Sequence, residues 1–246
     1  LKAENGWQPD FEALENMDLS GVKIMWTNYP GMPTGAPATV ELYAKLVDFG
    51  KRHGIMICND NPYSFILNDN PLSILAQPGA KECCVELNSL SKAHNMAGWR
   101  IGMVAAEADV IEQILKVKSQ MDSGMFKPLQ LAAVEALKQG PEWFARLNEE
   151  YARRRVLAGE IFDILGVEYD CNSSGMFLWG RVPEGKGETL ADRILYEAGV
   201  FITPGFIFGR NGENYIRISL CAKPELLKKA AERIRSVIPS VVEGSK

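Results

Sequence analysis

The stretch Ser89-Leu90-Ser91-Lys92-Ala93-His94-Asn95-Met96-Ala97-Gly98-Trp99-Arg100-Ile101-Gly102 places a lysine, two serine hydroxyls and an arginine within one short segment. Cys83 to Leu87 before it is an apolar, extended run, and Trp99 to Ala105 after it reads as another. Lys92 is therefore expected on a loop between two buried strands. An arbitrary lysine sits on a solvated face roughly nine times in ten, because its ammonium is strongly hydrated. The neighbours of Lys92 change those odds. Ser89 precedes it and Arg100 follows it at a spacing in which a hydroxyl, loop amides and a guanidinium suit a phosphate dianion held beside a reactive amine.

Working outward, Val22 to Thr27 alternates and is rich in β-formers, so it predicts a strand ending near Asn28, after a short helix or turn between Asp10 and Leu19. Tyr29-Pro30-Gly31-Met32-Pro33-Thr34-Gly35 then forbids regular structure. Val40, Leu42, Tyr43, Leu46, Val47 and Phe49 follow a helical period up to His53, and Gly54 stops that helix directly before the strand Ile55 to Asp60. A strand so nearly continuous in apolar residues implies burial on both faces, hence a mostly parallel sheet covered by helices. Helices are predicted from Asp109 to about Asp122, from Leu129 to Lys138 and from Pro141 to Leu165, the last opened by a proline suited to a first turn. After Gly166 the pattern changes to strands at Met176 to Trp179 and Tyr215 to Leu220, with helices near Thr189 to Ala198 and Pro224 to Val237. These boundaries give residues 1–140 as part of a large domain, 141–165 as a linking helix and 166–246 as a small α+β domain. Ile238 to Lys246 reads as a frayed end.

The 246 residues are 46% hydrophobic and 24% charged, the composition of a globular chain with room for a sizeable core. A net charge of −4 without a basic run argues against nucleic acid or an anionic membrane as the partner, and points to small molecules. Five cysteines without C-x-x-C spacing, and only His53 and His94 beside them, give little support to a metal site. Reduced thiols in a cytoplasmic protein are the simpler reading. No apolar run approaches the roughly 20 residues of a membrane helix, and no signal-peptide core opens the chain.

Asp60 ends its strand at the carboxyl edge of the expected parallel sheet, where ligands of open α/β folds bind. Standing alone before Asn61-Pro62, it has about even odds of merely starting a turn. An arginine in an amphipathic strand, as Arg217 is, more often carries a solvated or salt-bridged side chain.

Taken together, S-x-S-K with N-M-A-G-W-R-I-G closely resembles the cofactor-lysine segment of the fold type I pyridoxal-phosphate aminotransferases of class I and II. The resemblance extends to D-x-x-Y at Asp60 and Tyr63, P-T-G at Pro33 to Gly35, P-G-x-x-F-G at Pro204 to Gly209 and N-Y-x-R at Asn214 to Arg217. It implies that Lys92 bonds the cofactor and moves a proton between substrate and cofactor carbons, and that Ser89 and Arg100 hold the phosphate. It further implies that Asp60 pairs with the pyridine nitrogen, Tyr63 donates to the 3′ oxygen and Arg217 grips the substrate's α-carboxylate. The implied fold is an α/β large domain with an incomplete, mostly parallel sheet and flanking helices, followed by the small α+β domain. The implied activity is transfer of an amino group between an α-amino acid and a 2-oxo acid, in a cytoplasmic homodimer using pyridoxal 5′-phosphate. The same lysine and ring also serve amino-acid lyases and decarboxylases, and a relative without turnover would keep many of these residues.

Two departures from the family pattern matter. Met32 stands where the family has an asparagine that bonds the 3′ oxygen, and a thioether cannot donate a hydrogen bond. The chain also matches only the later part of a family member, so Leu1 reads as a fragment boundary. A glycine-rich helix start and a ring-stacking aromatic are expected upstream of it. A sheet so shortened should show an exposed edge and an apolar face.

Overall fold

In the computed structural model, which describes residues 1–237, the β-α-β unit forms as its punctuation requires. Asp10 caps a short helix α1 (Phe11–Glu15), and β1 (Ile24–Asn28) follows. Thr39 Oγ1 accepts from Leu42 N at 3.0 Å and so opens α2 (Val40–His53), which Gly54 closes at φ 62°. One face of α2 buries Leu42, Tyr43, Leu46, Val47 and Phe49 together with Ile55 and Ile57, each such side chain contributing roughly 1.5–3 kcal/mol of transfer free energy. That packing sets the helix against β2 (Met56–Asp60), and β3 (Cys84–Ser89) lies beside it.

The first sheet runs β1-β2-β3 in parallel, and Asn28 pairs with Asp60 and Asp60 with Leu87. Asn28, Asp60 and Ser89 therefore leave the sheet at one edge, the carboxyl edge. A fourth strand, β4 (Gly102–Ala105), adds antiparallel to β3 with Ser89 opposite Gly102, so the sheet is mixed.

Two sequence expectations fail here. Lys92 is not on an irregular loop, because Ser89 Oγ accepts from Ser91 N at 3.1 Å and His94 N donates to Leu90 O, which closes a short helix α3 (Leu90–Ala93) around it. Nor is the run after it a buried strand. Ala97–Trp99 is a single 3-10 turn, and all four residues of β4 are exposed. An apolar run records what a strand can bury, and burial depends on what packs over it. The helices that follow share this openness: α4 (Ala108–Met121) buries no residue, and α5 (Lys127–Leu137) buries only Ala133. Ile24 and Trp26 on the other edge strand, β1, are likewise exposed.

The long helix α6 (Pro141–Leu165) has the bounds its sequence predicts, from its N-terminal proline to Gly166 at φ 65°. Beyond it lie β5 (Glu168–Tyr169), β6 (Phe177–Arg181), α7 (Gly187–Arg193) running into a π turn at Ile194–Ala198, β7 (Thr203–Pro204), β8 (Tyr215–Ser219) and α8 (Pro224–Val237). The four strands form a second sheet, β5-β6-β8-β7, antiparallel throughout. Phe162 of α6, Leu178, Ile194, Ile216 and Leu220 are its wholly buried centre. The expected frayed end, Ile238 to Lys246, lies outside the described residues.

The two sheets meet at a tight seam. Ser174 N donates to Gly35 O at 2.9 Å, and Gly175 N donates to Ile66 O at 2.8 Å. Gly35 has φ 72°, and a Cβ there would lie 2.6 Å from that of Ser173, so only glycine fits.

Candidate active site

The carboxyl edge of the first sheet and β8 of the second carry the chemistry-bearing side chains. Asp60 ends β2 and faces an open cavity of about 1030 Å³, which Trp26, Asn28, Met32, Thr34, Trp179 and Phe208 also line. The protein packed around Asp60 raises its carboxyl pKa above the usual range. Tyr63, in the following turn, is buried with its ring edge against Phe177 at 5.9 Å. Burial raises the pKa of its phenol, the negative charge of Asp60 adds to that, and the positive charge of Arg217 opposes it. Phe177 touches both Tyr63 and Arg217, and Asn28 joins Asp60 to the turn whose Met32 meets Arg217, so the three share one neighbourhood although 157 residues separate Asp60 from Arg217 in the chain.

Arg217 projects from β8 between two phenyl rings, 4.3 Å from the centroid of Phe177 and 4.7 Å from that of Phe208. Its Nη1 donates to Met32 Sδ at 3.5 Å, and its Nε is buried with no partner. Burial lowers its pKa, yet a guanidinium stays a cation. A cation desolvated without a carboxylate beside it is the arrangement of an anion site.

The remaining residues lie around the β3–β4 connection. Ser89 ends β3, and its Oγ accepts from Ser91 N, which leaves the hydroxyl proton free to donate. Lys92 is half-buried in α3. Arg100 is exposed at φ 52°, and its Nη1 donates to Ala97 O at 3.0 Å within its own loop. Lys92, Tyr63, Ser89, Arg100 and Arg217 are not in the wall of the cavity that Asp60 faces, and Arg217 adjoins it through Met32 and Phe208. The structure thus brings Asp60, Tyr63 and Arg217 together, and it groups Ser89, Lys92 and Arg100 on the neighbouring connection.

Sequence reading missed three contributors. Asn28 Nδ2 donates to Asp60 O at 2.7 Å, and Asn28 Oδ1 accepts from Met32 N at 2.8 Å, so it ties the strand ends to the turn. Its place at a strand end beside Asp60 was the available signal. Phe177 and Phe208 flank Arg217, and although both stand in recognisable motifs, nothing local says that they close on the same guanidinium.

Comparison with known proteins gives the family of the chain. The family model described as aminotransferase class I and II matches residues 1–234. The chain belongs to this family. The class I and II aminotransferases are pyridoxal-phosphate enzymes. Among curated relatives, the chain is 40% identical over 240 residues to the LL-diaminopimelate aminotransferase of Aquifex aeolicus, covering 96% of this chain and 62% of that one. It is 38% identical over 237 residues to that of Dehalococcoides mccartyi, covering 95% and 61%. Among solved structures, apo-BacF from Bacillus subtilis superposes with a TM-score of 0.90 at 35% identity, over 96% of this chain and 64% of that one. The aromatic aminotransferase from Pyrococcus horikoshii gives 0.86 at 29% identity, over 96% and 65%. The chain therefore spans a little over three fifths of the length of these relatives.

The residues present fit the family's cofactor. Asp60, a strand-end carboxyl raised by burial, gains from a protonated ring nitrogen beside it. Tyr63 keeps its proton and can donate it to an oxygen anion. Ser89 and Arg100 offer a hydroxyl and a guanidinium to a phosphate.

Proposed function

We propose that the protein carrying this chain exchanges amino groups between an α-amino acid and a 2-oxo acid with pyridoxal 5′-phosphate. The observation that carries this reading is Arg217, a guanidinium held between two rings with a buried, unpartnered Nε, in the same neighbourhood as Asp60 and Tyr63. When bound, the cofactor supplies an aldehyde that exchanges amines and a ring that accepts electrons.

The chain's own groups then have distinct tasks. Asp60 would keep the proton on the cofactor's ring nitrogen, and Tyr63 would offer its O–H to the 3′ oxygen. Ser89 and Arg100 bind the phosphate. Arg217 takes the substrate α-carboxylate in a fork-to-fork contact, which fixes the direction of the Cα–H bond. Lys92 would hold the cofactor through Nζ, and its amine would be the group that takes and returns the proton at the substrate's Cα.

The same reading takes residues 1–140 as part of the cofactor-binding large domain, 141–165 as the linking helix and 166–246 as the small domain, supported by two sheets with separate cores. A homodimer fits the exposed apolar side chains of α4, α5 and β4. Cys58, Cys83 and Cys84 are free thiols, which suits a reducing cytoplasm. No helix among the described residues is long and apolar enough to cross a membrane. The relatives' shared name makes diaminopimelate-type amino acids the first substrates to assay.

Borohydride reduction of the cofactor-loaded protein, followed by peptide mass analysis, should place the pyridoxyl group on Lys92. A label on another lysine, or cofactor that does not return in its amine form after an amino acid is added, overturns the reading.

A further inference from the structure

A continuous series of contacts runs from Asp60 to Arg217. Asn28 Nδ2 donates to Asp60 O at 2.7 Å, Met32 N donates to Asn28 Oδ1 at 2.8 Å, and Arg217 Nη1 donates to Met32 Sδ at 3.5 Å. Asn28 commits its amide to backbone groups at both ends, so its task is to fix the turn that presents Met32. Phe177 and Phe208 pack against the guanidinium carbon, 4.3 and 4.7 Å from their ring centroids, and rings offer it no hydrogen-bond acceptor of defined direction. The thioether is the side-chain acceptor that the guanidinium meets among the described residues.

The chemistry of that contact is selective. A carboxylate in place of Met32 would form an ion pair with Arg217 and compete with any incoming acid. An amide oxygen would do so less strongly. A thioether is a weak acceptor that carries no charge, so it can orient the cation without satisfying it. The buried Nε without a partner shows that Arg217 has charge-assisted hydrogen bonding still to offer. Met32 is 40% exposed and so stands at the surface from which a ligand would arrive.

We propose that Met32 is a positioning residue for the substrate carboxylate: its sulfur sets the guanidinium of Arg217 before an acid binds, rather than acting on the cofactor's 3′ oxygen. That the acid is a substrate's α-carboxylate rests on the transaminase reading. The contact between Met32 and Arg217 does not.

The test uses propionate as the probe, titrated calorimetrically into the cofactor-loaded parent protein and its Met32→Leu, Met32→Ala and Arg217→Ala variants. Met32→Leu keeps the apolar volume and removes the acceptor. It should weaken propionate about three- to tenfold, the scale of one weak hydrogen bond to a charged group. Cofactor affinity, followed by visible absorbance, should stay within about twofold of the parent, because one apolar side chain replaces another there. In the half-reaction KM should rise while kcat holds, and Arg217→Ala should abolish propionate binding. Unchanged propionate affinity in Met32→Leu overturns the proposal, and so does a loss confined to Met32→Ala, which would make the methionine a filler of space. A parent that binds no propionate, or a cofactor affinity that falls together with that for propionate, overturns it as well. Failure of the transaminase reading shows separately, as a Lys92 that takes no pyridoxyl label while the propionate series still resolves Met32.

Discussion

Arg217 and Arg100 are both assigned to grip an anion, and the chain builds them in opposite ways. Arg217 is confined between Phe177 and Phe208, touches Met32 and has a buried Nε without a partner. Arg100 is exposed, stands at a left-handed backbone position and turns its Nη1 to Ala97 O in its own loop. The first is partly buried and packed against two rings and a sulfur. The second keeps most of its five N–H groups in solvent and turns one to its own loop, so it would have to be ordered when a phosphate arrives. A preorganised group yields more affinity per contact, because less ordering remains to be done when the ligand arrives.

The sharpest way to isolate that contrast is to remove the group that neither arginine can replace. Lys92→Ala should lower the proton-transfer rate by on the order of 10⁴ while leaving the thermal midpoint close to the parent's, as single-turnover kinetics and melting curves would show. Arg217→Ala comes next. Loss of a bidentate, desolvated contact should reduce kcat/KM about 10²- to 10³-fold with cofactor affinity retained. Arg100→Ala should do the reverse, weakening cofactor binding by about 10- to 100-fold and leaving propionate affinity alone. The contrast breaks if either variant shifts both affinities alike.

The smallest effect concerns the buried polar groups of the first sheet. Glu86 is buried in β3 and its Oε2 accepts from Ile74 N at 2.9 Å, while Thr27 Oγ1 donates to Asn59 Oδ1 at 3.0 Å and Asn59 Nδ2 to Tyr43 Oη at 3.1 Å. Burial pushes the Glu86 carboxyl above its usual range. A folded-state pKa above the unfolded one means that the protonated acid stabilises at low pH, and that this contribution fades as pH rises from about 4.3 through the folded value. Glu86→Gln should therefore gain stability relative to the parent between acid and neutral pH, as urea unfolding at both would record. A parent-to-variant difference independent of pH would show that Glu86 titrates no differently once folded.

Much of this was legible locally. Thr39 and Gly54 bound α2, Pro141 and Gly166 bound α6, and the alternation from Tyr215 gave β8, because caps and periods act over a few residues. The Ser89-to-Gly102 motif and the D-x-x-Y turn singled out the candidate site residues for the same reason. What failed was non-local. The two-residue strands β5 and β7 have no period of their own, and they exist because β6 and β8 pair with them. The exposure of β4 depends on what covers it. The contact between Met32 and Arg217 joins residues 185 apart, so no reading of either neighbourhood contains it.

The seam at Gly35 and Ser174 has a consequence in chain length rather than chemistry. Surface connections ordinarily absorb inserted residues cheaply, because their backbone is free of fixed partners. Here the turn after β1 and the approach to β6 are joined backbone to backbone at 2.9 Å, with no room for even a methyl group on Gly35. A residue added to either connection would pull Met32 away from Arg217, so their lengths are as constrained as the glycine at position 35.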